Sequence, residues 1–198
     1  MARCNADGGR LIRRTHRCFL PQEGFHHRNL RAARQILPSS AQIWESDAVE
    51  YEDLMRLALA EAELAIPHGD VPVGALVVVD GEVIASRHNE RELTGDPTAH
   101  AEILAMRDAC EHLGTWRLDN AVLISTLEPC TMCAGAALNA RMQKAVFGAA
   151  DLEAGALGSV YNFGVDPRLR HTFEVQHNVL GDECTQTLKA FFAGLRNS

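Results

Sequence analysis

His100-Ala101-Glu102 and, thirty residues further on, Pro129-Cys130-Thr131-Met132-Cys133 supply one imidazole, two thiols and a carboxylate. An imidazole and two thiolates are three ligands of the kind zinc takes, and three protein ligands leave the fourth tetrahedral position open to water. That open position separates a catalytic zinc from a structural one. Zinc lowers the pKa of bound water to about 7. Glu102 is not needed as a ligand, so its carboxylate is free to move protons. The chemistry to which this set points is hydrolysis.

The spacing makes demands on the backbone. Cys130 and Cys133 are three apart, so on a helix they share one face, in the first turn after Pro129. A helix N-terminus favours thiolates, the form a metal needs. His100 and Glu102 are two apart and would point roughly 200° apart in an ideal helix. They converge only where a loop runs into a helix, and Asp96-Pro97-Thr98 is the expected place. Two rival readings use fewer of these residues. A Cys-x-x-Cys pair can be a redox dithiol, which leaves His100 and Glu102 without a task. A closed structural zinc site needs a fourth ligand from Cys110 or Cys184, and neither has a partner at ligand spacing. Cys110 reads instead as a small core residue on the apolar face of its helix, and Cys184 as packing. His68, His88, His112 and His177 stand in polar contexts and are expected to face solvent, whereas His171 is a candidate substrate contact.

The elements that must position these groups follow from periodicity. Leu54, Leu57, Ala58, Ala62 and Ala65 recur at helical spacing until Pro67-His68-Gly69. Residues 74–79 and 83–85 read as strands around Asp80-Gly81, a two-residue hairpin turn. Residues 87–96 read as a loop, and Pro97-Thr98 as the opening of a helix that runs to about His112. Residues 121–125 form a buried strand, Glu128-Pro129 starts a helix to about Ala140, and residues 144–147 form a further strand. A glycine-rich loop over 148–158, a weak strand near 172–175 and a last helix from Asp182-Glu183 complete the domain. Helices alternating with apolar strands predict an α/β protein, a three-layer α/β/α domain with a central mixed sheet.

Bulk properties set the frame. The 198 residues are 46% hydrophobic and contain no apolar run of ~18 residues, so one domain with an appendage is expected, without a membrane-spanning helix. Six cysteines in a chain of this length with an ordinary core argue for a reducing, cytoplasmic setting rather than a disulfide framework. Charge is divided unevenly. Residues 1–40 carry eight arginines against Asp7 and Glu23, a net +6, and the rest of the chain carries 11 basic and 24 acidic residues, a net −13. Residues 1–46 are expected to be a basic, disordered extension. A transit peptide, an RNA-gripping arm and a translation start beyond this segment are the alternatives. Residues 47–198 are expected to form the working domain.

The match extends past the zinc signature. Val71-Pro-Val-Gly-Ala75, Asp96-Pro-Thr-Ala-His-Ala-Glu102, Thr126-Leu-Glu-Pro-Cys-Thr-Met-Cys-Ala-Gly-Ala136, Val146-Phe-Gly-Ala149, Gly155-Ala-Leu-Gly-Ser159 and Asp182-Glu-Cys184 resemble bacterial tRNA-specific adenosine deaminases, within the wider group of zinc nucleobase deaminases. The resemblance implies a cytidine-deaminase-like fold, a homodimer, one zinc ion per chain and conversion of adenosine to inosine at the wobble position of a tRNA anticodon. Carried over, His100, Cys130 and Cys133 would hold zinc, Glu102 would shuttle protons while activated water adds to C6 of adenine, and Asn89 would hold the purine. Backbone groups at Ala101 and Pro129 would read the ring.

Two departures weaken the expected grip on RNA. Ala150 followed by Asp151-Leu152-Glu153 stands where a basic residue is common, and only Arg196 follows Phe191-Phe192 where an arginine cluster is common. Arg87, Arg91, Arg141, Lys144, Arg168 and Arg170 remain for a basic rim. A deaminase of a free base or nucleoside, guanine or cytosine, and a zinc-binding protein without turnover are the alternative functions.

Overall fold

The computed structural model describes residues 49–196. The extension expected over residues 1–46 therefore lies outside the described residues. Five strands, β1 (Gly74–Val79), β2 (Glu82–His88), β3 (Ala121–Leu127), β4 (Lys144–Ala149) and β5 (Glu174–Gln176), form one sheet in the order β2-β1-β3-β4-β5. β1 is antiparallel to both β2 and β3, whereas β3, β4 and β5 are parallel. The sheet is mixed, as the alternation of elements implied.

Both faces are covered, so β1 and β3 are apolar nearly throughout rather than alternating. On one face Ala75, Val77, Leu123 and Phe147 pack against α3 (Ala101–Leu113) and α4 (Thr131–Ala140). On the other, Leu76, Val78, Val122, Ile124 and Val146 pack against α1 (Val49–Ala62) and α5 (Gly181–Arg196). These are the three layers. The turn between β1 and β2 has Asp80 at φ 49° and Gly81 at φ 75°, the paired left-handed conformation that suits the twist of a hairpin. Gly74 lets β1 approach α1 closely, since a Cβ there would meet the carbonyl oxygen of Ala58 and lie 2.7 Å from the nitrogen of Ala62.

Several boundaries differ from expectation, each for a local reason. Residues 87–96 are not a plain loop: β2 runs to His88, and Arg91–Thr94 form a helical turn, α2. The buried Asp70 carboxylate accepts the backbone N–H groups of Glu92 and Leu93 at 2.9 and 3.1 Å, which satisfies the otherwise unpaired donors of the turn. α3 begins at Ala101 rather than at Pro97, because Asp96 holds the N–H and hydroxyl of Thr98 in a side-chain turn at 2.8 and 2.7 Å. α4 begins at Thr131 rather than at Glu128, and the last strand covers Glu174–Gln176 rather than 172–175.

His68 and His88 do not face solvent. Their Nδ1 atoms lie 2.8 Å from the carboxylates of Asp70 and Glu61, and their rings are 5.4 Å apart. His112 and His177 are exposed. Among the described residues, no helix is long and apolar enough to cross a membrane.

Candidate active site

α3 runs back along the sheet before β3, so its N-terminus lies beside the end of β3, where α4 begins. His100 is the N-cap of α3, with φ −77° and ψ 147°, and Cys130 is the N-cap of α4, with φ −70° and ψ 176°. Both caps are extended, so their side chains leave the helix path and turn toward each other. Cys133, in the first turn of α4, is fully buried and faces the same point. The Cys130 and Cys133 sulfurs lie 3.8 and 3.6 Å from His100 Nδ1 and 3.7 Å from each other. Tetrahedral zinc with ordinary bond lengths requires about 3.8 Å between two sulfurs and about 3.6 Å between sulfur and nitrogen. The donor set therefore fits a zinc ion in both chemistry and spacing.

Among the described residues, only His100, Cys130 and Cys133 form a group with all ligand atoms within 4.8 Å of one another. Neither proposed fourth ligand joins it. Cys184 is buried on the opposite face of the sheet, where a Cβ on Gly148 would strike its sulfur. Cys110 packs at the edge of the core on α3.

The hydrogen bond with Cys133 holds Cys130 down to about 3 against the opposing effect of burial, with His100 helping. The same bond, together with burial, pushes Cys133 up. Cys130 also raises His100, chiefly by hydrogen bonding. A metal bound by these three groups takes the place of their protons, because thiolate and neutral imidazole are the ligating forms. Glu102, second in α3, is 4% exposed, and burial raises its carboxyl above the ordinary range.

Asn89 follows β2 and is 7% exposed. Its amide donates to the Val71 carbonyl at 3.1 Å, and its oxygen accepts the Ala101 N–H at 2.9 Å. One amide N–H of Asn89 remains for another acceptor. The Pro129 carbonyl accepts the Ala156 N–H at 2.9 Å, which brings the glycine-rich loop against Cys130. His171 is not in this group. It lies 2.8 Å from the Met142 carbonyl, past the far end of α4, about 15 Å of helix away from Cys130.

Sequence reasoning assigned no role to Glu128. This carboxylate is 1% exposed and accepts the N–H groups of Asp151, Leu157 and Ser159 at 3.1, 2.9 and 3.0 Å, as well as the Ser159 hydroxyl. It fixes loop 151–159 as one wall of the site. An acid placed between an apolar strand and Pro-Cys was the available signal.

The basic rim is sparse. Arg87 is bound to Glu90 and Asp108, Lys144 lies 3.9 Å from Glu174, and Arg168 is bound to Asp166. Arg141 donates to the Arg170 carbonyl at 3.3 Å. A separate depression of about 390 Å³ between α3 and α4, lined by Ile103, Met106, Cys110 and Ala136 among others, includes none of the metal-site residues.

Residues 49–196 match the MafB19-like deaminase family. The tRNA-specific adenosine deaminase of Bacillus subtilis (strain 168) is 48% identical over 142 residues, 72% of this chain and 88% of that one. A solved structure described under A-to-I editing by tRNA:A34 deaminases at the wobble position of transfer RNA superposes with a TM-score of 0.66 at 43% identity, covering 69% of this chain and 99% of the other. Guanine deaminase from Nitrosomonas europaea superposes with a TM-score of 0.61 at 27% identity, over 72% and 84% of the two chains.

Proposed function

Because the chain belongs to the deaminase family of the tRNA-specific adenosine deaminases, we propose that His100, Cys130 and Cys133 hold one zinc ion and that Glu102 carries the protons of the reaction. The enzyme converts adenosine to inosine at the wobble position of a tRNA anticodon. What carries the assignment of roles is the buried Glu102 carboxyl beside a three-donor cluster that, among the described residues, has no fourth protein ligand.

Zinc bound there supplies Lewis-acid activation of water. Glu102 accepts the proton released as the water oxygen bonds to C6 of adenine and passes it to N1. Glu102 then takes the remaining hydroxyl proton and gives it to the exocyclic nitrogen. The C6–N bond breaks, ammonia leaves, and the C6 carbonyl of inosine remains, so adenosine and water give inosine and ammonia. Burial raises the Glu102 carboxyl, the direction that suits a group that must both take and release a proton. We assign the remaining N–H of Asn89 to the purine; the Ala101 N–H and the Pro129 carbonyl, expected to read the ring, already pair with Asn89 and with Ala156. An anticodon loop suits this site because its bases unstack at low cost. A homodimer in the cytoplasm completes the proposal; sedimentation would then show about twice the 21.7 kDa chain mass.

Incubating zinc-loaded protein with an anticodon stem-loop bearing adenosine at the wobble position, and separately with guanine, cytosine and adenosine, tests the function. Inosine in the RNA is the expected product. Ammonia from a free base with the RNA unchanged would overturn the tRNA assignment.

A further inference from the structure

We infer that the Arg91 guanidinium binds the backbone phosphate next to the target adenosine, and so forms the contact that sets an RNA substrate apart from a free base. This rests on the tRNA reading above.

Most cations of the described domain already have acceptors. Besides Arg87, Lys144, Arg141 and Arg168, Arg56 is bound to Glu52 and Asp53, and Arg117 to Asp119. The Arg91 side chain is exposed and has no hydrogen bond or ion pair with any described residue. Its place in the fold is at the site. Arg91 opens α2, and the residues just before it are fastened to the segment that leads through His100 into α3, through Glu90 N–H to the Ala99 carbonyl at 3.0 Å and through the Asn89–Ala101 bond. The other uncommitted cations stand elsewhere. Arg107 is two turns along α3, Arg170 is near the far end of α4, and Lys189 and Arg196 are on α5.

The surroundings sharpen the requirement. Glu92 is next in sequence to Arg91, Asp151 and Glu153 belong to the loop that packs against Pro129 and Cys130, and the chain beyond residue 40 is strongly acidic. A polyanion approaching that surface is repelled unless a cation stands where its backbone passes. Guanidinium forks pair with phosphate oxygens in bidentate fashion. A free purine has no phosphate and would not use this contact.

The test compares Arg91→Ala, Arg91→Lys and a control, Arg56→Ala, on the stem-loop RNA across a salt series. Arg91→Ala is expected to raise KM about tenfold while kcat and zinc content stay within twofold of wild type. The slope of log affinity against log salt should fall by roughly 0.7 to 0.9, one phosphate's worth. Arg91→Lys should restore the slope and most of the affinity, and Arg56→Ala should match wild type. An Arg91→Ala enzyme with wild-type KM and slope overturns the inference, as does a lysine that fails to restore the slope. Wild-type protein that leaves the stem-loop adenosine intact overturns the tRNA reading itself, and the inference with it, so the two failures are distinguishable.

Discussion

The side-chain oxygen of Asn89 accepts the backbone N–H of Ala101 at 2.9 Å. His100, the N-cap of α3, makes no side-chain capping bond, so Asn89 supplies an acceptor that the helix start lacks. One residue thus serves the helix that positions Glu102 and, in the proposed function, the purine. Asn89→Ala should cost about 1–2 kcal/mol in urea denaturation and also raise KM. Asn89→Asp keeps the acceptor but loses the amide donor, so most of the stability should return while KM stays high. Recovery of both together would mean that Asn89 does not touch substrate.

Glu102→Gln removes the proton carrier but no member of the donor cluster. Turnover should fall below detection while zinc measured by atomic absorption stays near one ion per chain. Zinc lost together with activity would make Glu102 a ligand and the assignment of roles wrong.

Glu128→Ala leaves three backbone N–H groups and a hydroxyl without their acceptor. It should cost about 3 kcal/mol and expose loop 151–159 to proteolysis. The effect has a pH signature. Burial opposes ionisation of Glu128, but the Ser159 hydroxyl and the backbone donors outweigh it, so its carboxyl lies below the ordinary 4.5. A lowered folded-state value means that the contribution is complete above the unfolded pKa and is lost as pH falls through the folded one. The stability gap between wild type and Glu128→Gln should therefore be constant near neutrality and close as pH drops below about 4.5. A gap that widens on acidification would contradict the charged, hydrogen-bonded carboxylate.

Two glycines should respond in opposite directions. Gly74→Ala forces a Cβ into the α1 backbone and should cost about 2 kcal/mol or more. Gly135 lies inside α4, where a Cβ would meet nothing within 4 Å, so Gly135→Ala should add about 0.5–1 kcal/mol by restricting the unfolded chain. Thermal unfolding of the two variants checks both signs.

What was readable in the sequence was what is local. The strands, the Asp80-Gly81 turn and the Cys130/Cys133 spacing each depend on neighbours a few residues away, and each could be placed from periodicity and turn chemistry. α2 could not, because the Asp70 carboxylate that organises it lies 22 residues upstream of Glu92. Polar neighbours in sequence resemble solvent, which is why His68 and His88 read as exposed; the partner of His88, Glu61, lies 27 residues away and meets it only when β2 packs beside α1, whereas His68 pairs locally with Asp70. Glu128 went unrecognised because its donors lie 23 to 31 residues further along. His171 was drawn toward the site by a glycine-rich stretch close in sequence, but β4 and the end of α4 carry it away.

The donor spacing is set by two helix starts already held by the sheet, not by side chains free to search for a metal. Reloading protein stripped with a chelator should then proceed without a refolding phase, checked by far-ultraviolet circular dichroism before and after metal is returned. Repeated cycles of chelation and reloading should return the same activity each time.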